Sequence, residues 1–569
     1  LLISRKYTGR ADPARPTTEL SNRPYGRLRP NDPDFYETRY EYNYDAMLRR
    51  ILHPNGNITE YFYGLELNPI PGFIVRPQER GNLRFIRQLP GTHAPAGDQP
   101  ILEEFFEYGT DFNSGCCGFN FVTKHTDARG NVTMHEYDAK GNRIRTQHPI
   151  AAIVENFEYN EFGQMTAHVL PDNGSGHRRR DVLTYYDSGP QKGYLRQEIV
   201  DANNLLLTST YEYDPAGNIV RTIDPRGHDT QYAVNALNQT VREISREVKN
   251  GNGVRYQRDT FYDANNNIIR RDVQNIDDQG VLQANTHFTT AYEYEILNHV
   301  TRMTQEVDTT TTLVTEYTYD KNRNRTLVRF GEAINGHQSA NVVRMLYDER
   351  NLAFMEIRAD GDPQQSTTQY DYDRNGNLVT KRMGIESTPR VFASVYDAYN
   401  RLVSTTDPMG NVTTHNYDAN GNLTHTRVAG ELIDVPGSAG NARLSDTTYV
   451  YDAMNRVMRI ETEFFDTDTQ APIADGKAIT QMFYSDNSQV VRVVDDNNHE
   501  ALASYDTANR LRTVTDDKGN TATYTYDANN NIIAITQVEK SDLGNPDQTF
   551  LTAGEYDNLD RLIKITDNV

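Results

Sequence analysis

Tryptophan is absent, and the 569 residues contain only two cysteines, the adjacent pair Cys116 and Cys117. Neighbouring cysteines close only a strained ring, so a vicinal disulfide, buried free thiols and an intermolecular bond all stay open, and two thiols do not fix a redox compartment. Apolar side chains are also scarce, with 37% hydrophobic residues and a mean hydropathy of −0.74. A compact multidomain enzyme of this length needs more aliphatic residues for its cores. There is no run of about twenty apolar residues and no visible signal peptide, so no membrane span is expected in this chain. Positive charge is short as well: 58 Lys+Arg against 79 Asp+Glu give a formal net charge of −21, which disfavours a long contact with nucleic-acid phosphates. The basic cluster Arg178-Arg179-Arg180 is expected in a solvated loop.

The motifs of common chemistry are missing too. The chain holds no Walker loop, no His-Glu-x-x-His, no paired Cys-x-x-Cys and no Gly-x-Ser-x-Gly; the GSAG stretch at Gly437–Gly440 has the wrong order. Carboxylates are so numerous that no glycosidase pair can be singled out. The 14 His show no ligand spacing, and His125 and His135 read as exposed residues on either side of a turn. No catalytic residue, cofactor or metal is assigned.

What the chain does have is tyrosine, 36 of them, and one recurring phrase. YDANGNL at Tyr417–Leu423 returns as YDANNNI at Tyr262–Ile268 and Tyr526–Ile532. Relaxed to Tyr-Asp-x-x-[Gly/Asn]-[Asn/Arg]-apolar, it recurs at Tyr137, Asp138 and Gly141, at Tyr213, Asp214 and Gly217, and at Tyr372, Asp373 and Gly376. Further copies start at Tyr396 and Asp397, Tyr451 and Asp452, Tyr505 and Asp506, and Tyr556 and Asp557, beside the founding Tyr262 and Asp263, Tyr417, Asp418 and Gly421, and Tyr526 and Asp527. The closest neighbours, such as Tyr396 with Tyr417 and Tyr505 with Tyr526, are 21 residues apart. A phrase repeated at a fixed period marks a structural unit.

A second turn phrase falls between the first ones, as in DPRG at Asp224 and DPMG at Asp407, and Asp506, Asp516 and Asp527 follow one another at 10 and then 11 residues. Both phrases carry the chemistry of a type I turn. Asp at the first place accepts backbone N–H groups two residues on, Pro presets φ at the second, and Gly or Asn at the fourth tolerates the left-handed conformation that opens a bulged hairpin. A turn every ten or eleven residues leaves strands of about six or seven. Alternations such as YEYD at Tyr211–Asp214 and YTYD at Tyr524–Asp527 put two tyrosines on one face, where successive hairpins would stack the rings into ladders. The fold class is therefore all-β, a long antiparallel β-hairpin strip of about 21-residue repeats. Some forty strands about 4.8 Å apart would run roughly 190 Å flat, and twist disfavours so long an open ribbon, so the strip is expected to coil or close on itself.

The phrase Tyr-x-Tyr-Asp-x-x-Gly-[Asn/Arg]-Leu, linked by Asp-Pro-x-Gly-Asn-x-Thr as at Asp407–Thr413, resembles the Rhs/YD-repeat family. That family includes bacterial polymorphic toxins, the B and C components of insecticidal toxin complexes, and animal teneurins. The resemblance covers about residues 121–569. It implies a strip spiralling into a hollow shell or tube that in several members encloses a polypeptide, often a toxin domain cut off by the shell itself, and in others serves adhesion or structure. A secreted or cell-surface location also follows from the resemblance. The arginine-containing block with an aspartate-proline-x-glycine-leucine signature that closes toxin-bearing shells has no counterpart after Tyr556, so no cleavage site, toxin or plug is assigned. Asp567-Asn568-Val569 stand where the next turn is due and the chain begins at Leu1, so a portion of something larger is expected.

Residues 1–120 are less regular and are expected to form degenerate repeats or a lid-like segment, with 121–569 as the repeat shell. Insertions near 171–193, 276–290, 430–447, 463–478 and 538–550 are expected to be loops offering contact surfaces. Asp418–Asn422 sets oxygen side chains at alternate places like the start of an EF-hand loop, but lacks the closing Glu, and the same turn is satisfied by Asx hydrogen bonds without calcium. Sequons such as Asn131-Val132-Thr133 and Asn411-Val412-Thr413 arise from the repeat itself. Two functional classes remain: a non-enzymatic container whose partners are further repeats of the same polypeptide and an enclosed toxin cargo, and a fibre or adhesin binding glycans or neighbouring subunits through outer loops. A polysaccharide-active enzyme is the weaker third.

Overall fold

The computed structural model describes residues 1–7, 33–64, 80–91, 99–109, 120–432 and 440–568. Among these, one four-residue helix, Gly331–Ile334, accompanies 41 strands that belong to a single antiparallel sheet. The adjacent cysteines, and the Pro- and Gly-rich stretch between Asn68 and Gly72, lie outside the described residues.

Each repeat is a hairpin with a bulge at its recurring tyrosine. Arg390–Tyr396 pairs with Leu402–Thr406, and the register slips by one between Val395 and Tyr396. The same slip falls at Asn416/Tyr417, Ser504/Tyr505 and Thr525/Tyr526. The residue at the fourth place of the turn causes it by standing at positive φ, +84° at Gly421, +63° at Asn400 and +67° at Asn509, and the extra residue at the slip is the mark of a bulged hairpin.

The two edges of the strip differ in how strictly they are measured. From Tyr213 onward the edge holding the Tyr-Asp turns always leaves five residues between strands, as between Tyr213 and Ile219, Tyr294 and Val300, Tyr417 and Leu423, and Tyr556 and Leu562. The opposite edge leaves five between Thr406 and Val412 but eight between Glu539 and Gln548 and twelve between Arg329 and Val342.

The chain divides into two compact units. The first joins Leu1–His135 to Thr315–Ile479, and the second joins Glu136–Val314 to Thr480–Val569. Each unit thus combines an earlier and a later stretch of the strip. Apolar burial is thin, with Phe85, Ile153, Ala167 and Val248 among the few covered hydrophobics. Polar turn residues are covered just as well: Asp201 is 0% exposed and Asp557 2%.

Several expectations need correction. The sheet is not closed by strand pairing, and within each unit it is the turns of the two stretches that meet. Arg178-Arg179-Arg180 is not a solvated loop but opens the strand Arg178–Tyr185. Arg178 donates to the carbonyls of Leu170 and Val154, and Arg180 holds Glu158 through two hydrogen bonds. Arg178 and Arg180 are used up by neighbouring strands, and Arg179 by Asp181 and the Ala508 carbonyl. Much of the supposed insertions at 276–290 and 463–478 is strand as well, Leu282–Tyr294 and Pro472–Tyr484, because their alternating Thr, Phe and Ile residues extend the hairpins. His125 is half-buried, its ring stacked on Phe106 at 4.8 Å.

Candidate functional site

Counting from the aspartate, the turn Asp418–Asn422 has five places. The Asp418 N–H donates to the Asn422 carbonyl at 3.0 Å, and the Gly421 N–H returns to the Asp418 carbonyl at 3.1 Å. The Asp418 carboxylate accepts the N–H groups of Asn420 and Asn422 through Oδ1 and the Asn422 amide through Oδ2. Its oxygens are therefore engaged by the turn itself, which accounts for the alternating oxygen pattern without calcium. The same bond from the fifth-place N–H reaches Asp138, Asp214, Asp263, Asp373, Asp397, Asp452, Asp506, Asp527 and Asp557. Gly141, Gly217 and Gly376 hold the fourth place at φ of +88°, +93° and +96°. The sequon asparagines Asn131 and Asn411 sit at fifth places and donate to Asp127 and Asp407.

The motif tyrosines end their strands: Tyr137, Tyr213, Tyr262, Tyr372, Tyr396, Tyr417, Tyr451, Tyr505, Tyr526 and Tyr556. The hydroxyls of Tyr262, Tyr372, Tyr417, Tyr451, Tyr505 and Tyr526 tie their repeat to the previous one. Tyr417 donates to the carbonyl of Leu402 at 2.7 Å, Tyr505 to Val490 at 2.9 Å and Tyr526 to Leu511 at 2.8 Å, in each case the first strand residue after the preceding Tyr-Asp turn. At two of these positions the expected ring-on-ring ladder is replaced by arginine: Arg401 lies 4.9 Å from the Tyr417 ring and Arg510 4.7 Å from that of Tyr526. Burial pushes the Tyr417, Tyr505 and Tyr526 hydroxyls up from their ordinary value.

The choice of Asn or Arg at the fifth place now has a physical meaning, since both reach the next Tyr-Asp turn. Asparagine passes its amide to the fourth-place side chain there: Asn422 to Asn455 at 2.8 Å, Asn267 to Asn298 at 2.8 Å and Asn531 to Asp560 at 2.8 Å. Arginine holds its own aspartate and then donates to a carbonyl of the next turn, Arg401 to Asp418 at 2.8 Å and Arg510 to Asp527 at 2.9 Å.

A third set of contacts was not legible from the repeat and joins turns far apart in sequence. In the first unit, the Arg129 N–H donates to Oδ1 of Asn420 at 3.0 Å, and Nδ2 of Asn420 answers to the Asp127 carboxylate at 2.6 Å. The Arg129 guanidinium continues to the carbonyl of Asp452 and Oδ1 of Asn455, both at 2.9 Å. In the second unit, the Arg226 N–H donates to Oδ1 of Asn529 at 3.2 Å, Asn529 answers to Asp224 at 2.8 Å, and the guanidinium reaches the Asp557 carbonyl at 2.9 Å and Asp560 at 3.1 Å. A third copy in the first unit pairs the Asn55 N–H with Asn375 at 2.8 Å, and there His53 opens the turn, so Asn375 answers to Asn57 instead. In every copy the third-place residue of one turn meets the third-place asparagine of another. Asp560 gathers the charge of its copy. Burial would raise its carboxyl, but hydrogen bonds from Asn531, Asn529 and Arg246 outweigh that and hold it down at about 2.

Other Tyr-Asp turns of the later stretches are seated by other means. In the first unit Tyr399 donates to the carbonyls of Gln88 and Pro100, and Arg350 lies 3.9 Å from the Tyr36 ring. In the second, Asn173 donates to the Asp506 carbonyl at 3.0 Å, Arg179 to that of Ala508 at 3.1 Å, and the Asn558 N–H to that of Val248 at 3.0 Å. The motif residues of the later stretches, among them those at Asp373, Asp418, Asp506, Asp527 and Asp557, thus sit in a seam of interlocked turns, whereas those at Asp138, Asp214 and Asp263 do not. The signal for the seam was Arg at the third place of both DARG at Asp127 and DPRG at Asp224. Among the described residues no group of three or more His, Cys, Asp and Glu is placed to hold a metal ion.

Residues 396–432 and 505–541 match a family model described as RHS Repeat. The comparison with curated proteins finds no match. Among solved structures the chain is similar to TcdB2-TccC3-TEV, at 11% identity over 100% of this chain and 40% of that one, with a TM-score of 0.40. It is also similar to the Photorhabdus luminescens Tc holotoxin pore carrying a TccC3 mutation, at 12% identity over 86% of this chain and 30% of that one, with a TM-score of 0.34. The chain spans two fifths or less of the length of these solved chains.

Proposed function

Since the chain carries RHS repeats and belongs with the Rhs/YD-repeat proteins, we propose that it is a non-enzymatic wall segment of a β-shell that encloses a polypeptide cargo such as a toxin. The observation that carries this reading is the seam. A strip whose turns are latched, at the same turn position, to another stretch of itself gains a second set of fixed edges, as a retaining wall requires, whereas a freely extended adhesin has no need of them. The motif aspartates spend their carboxylates on closing their own turns, and the hydroxyls of Tyr262, Tyr372, Tyr417, Tyr451, Tyr505 and Tyr526 are spent on neighbouring repeats, which supports a structural role. In this reading residues 1–120 are degenerate repeats of the same wall, because Phe35–Tyr42, Leu48–Leu52 and Ile58–Tyr63 pair in order as the later hairpins do. The protein acts in a secreted or cell-surface assembly with further repeats of the same polypeptide as its partners.

Photocrosslinkers test this in the full-length product purified from its source. They would replace Phe261, Val395 and Phe483, apolar residues 40 to 43% exposed just before a motif tyrosine, and, on the tyrosine face, Phe392. Capture of one extended polypeptide by residues of a single face supports the container. Crosslinks confined to other copies of the same chain would sink it.

A further inference from the structure

In the clasps of the first unit the third-place asparagines Asn55, Asn375 and Asn420 are each followed by glycine, Gly56, Gly376 and Gly421. The clasp of the second unit differs: Asn529 is followed by Asn530, which takes the same left-handed conformation, φ +71° against +84° at Gly421. The fourth place therefore does not demand glycine. Asn-Gly is the pair in which an asparagine amide is most readily lost, because no Cβ shields the glycine nitrogen. In that reaction the glycine nitrogen attacks Cγ of the asparagine, and the new N–Cγ bond closes a succinimide ring. The side-chain nitrogen leaves as ammonia, taking up the glycine proton, and water then opens the ring to aspartate or isoaspartate.

Turn and clasp together block this attack while they are closed. The nucleophile is engaged: the N–H of Gly421 is donated to the Asp418 carbonyl at 3.1 Å, that of Gly376 to Asp373 at 3.2 Å and that of Gly56 to His53 at 2.8 Å. The amide under attack is held as well. Asn420 accepts the Arg129 N–H at 3.0 Å and gives Nδ2 to Asp127 at 2.6 Å and to Asn455 at 3.0 Å. Asn375 accepts the Asn55 N–H at 2.8 Å and gives Nδ2 to Asn57 at 2.9 Å and to Asn400 at 2.8 Å. Ring closure needs the amide to turn out of these bonds, so it proceeds from the opened clasp. The products do not fit back. Aspartate at 420 sets a carboxylate against Asp127, where the amide was a donor. Isoaspartate adds a carbon to the backbone of a turn on the edge that keeps a strict five-residue measure.

We propose that Asn55, Asn375 and Asn420 are sites of spontaneous deamidation that the clasps themselves suppress. An opening of the first unit's seam that lasts long enough for ring closure is thereby made permanent, whereas the clasp at Asn529 can open and reclose unchanged. The first unit carries a one-way fastening and the second a reversible one, with or without an enclosed cargo.

Peptide mapping of the full chain, aged in folding buffer and in urea at the same mildly alkaline pH, tests the proposal. Aspartate and isoaspartate should accumulate at positions 375 and 420 at least ~10-fold faster in urea than in the folded chain, since the rate follows the population of the open form. In urea, position 529 should lag behind both. In folding buffer, Asp127→Ala removes a partner of the Asn420 amide and should raise the rate at 420 while that at 375 stays unchanged. Gly421→Asn copies the residue that follows Asn529 and meets open space at the missing Cβ, so it should hold the urea rate at 420 down to that at 529. Asn420→Asp, the product itself, should lower the urea midpoint. Equal rates at 420 in urea and in the folded chain, a rate at 529 in urea that matches 420, no rise at 420 in Asp127→Ala, or an unchanged midpoint in Asn420→Asp would each overturn the proposal.

Discussion

The backbone N–H of Arg226 donates to the side chain of Asn529, 303 residues further along, while Asn529 donates back to Asp224 in the turn that presents Arg226. Two local turns thereby become one unit of non-local structure. Asn529→Ala should lower the unfolding free energy by ~1–3 kcal/mol, the cost of leaving part-buried partners unsatisfied. Asn529→Asp should cost more, because it sets a carboxylate against Asp224 and Asp560. The urea midpoint of the full chain measures both.

Arg129 with Asn420 and Arg226 with Asn529 are the same clasp in different units. A double-mutant cycle on Arg129→Ala and Asn455→Ala, whose side chains share a hydrogen bond within the clasp, should show a coupling of ~0.5–3 kcal/mol, whereas Arg129→Ala with Arg226→Ala should add to within ~0.5 kcal/mol. Strong coupling between the two arginines would mean that they do not act as separate clasps.

Two glycines separate backbone strain from crowding. Gly421 is at φ +84° with nothing near its missing Cβ, so Gly421→Ala should cost ~1–2 kcal/mol through conformation alone. At Gly217, φ +93°, an added Cβ would lie 2.5 Å from the Tyr194 hydroxyl oxygen, so Gly217→Ala should cost clearly more. Thermal melts of the two variants give the comparison.

The tyrosines predict an alkaline limit. Burial pushes Tyr399 up to about 12, and Tyr417, Tyr505 and Tyr526 move the same way. A value raised in the folded state contributes stability that is whole below the ordinary value of about 10 and is lost as pH rises through the folded one. Phenolate cannot donate to the carbonyls that these hydroxyls hold. Phenolate absorbance and the sheet signal in circular dichroism should therefore change together between about pH 10 and 12, and early ionisation with an intact sheet would contradict the hydroxyl bridges.

The aspartates set the acid limit with the opposite sign. The side-chain bond from Asn218 lowers Asp214, that from Asn267 lowers Asp263, and Asp560 stands at about 2. Depressed values contribute stability that is present above about pH 4 and is lost as pH falls toward the folded values. The urea midpoint should be flat above about pH 5 and fall below about pH 4.

The hairpin turns could be read from the sequence because their causes are local. Asp418, Gly421 and Asn422 settle their own backbone within five residues, and the period then orders the strands. The seam could not be read this way, because nothing near Asn420 distinguishes it from Asn265, yet one is clasped and the other open. That difference depends on which stretch lies alongside, hundreds of residues away. Arg178-Arg179-Arg180 was misread for a related reason: a run of like charge looks solvated until the carbonyls of Leu170 and Val154 and the carboxylate of Glu158 are placed beside it.

The unequal measure of the strip's two edges divides the chain into places where evolution can write and places where it cannot. A residue gained within the five-residue spacing after Tyr417 or Tyr526 would shift the couplings of every neighbouring repeat, whereas the spans 431–441 and 540–547 are longer than five residues while the Tyr-Asp edge beside them keeps its count. A foreign peptide grafted into 540–547 would leave the phase of the array intact, so new recognition can be added there without redesigning the scaffold.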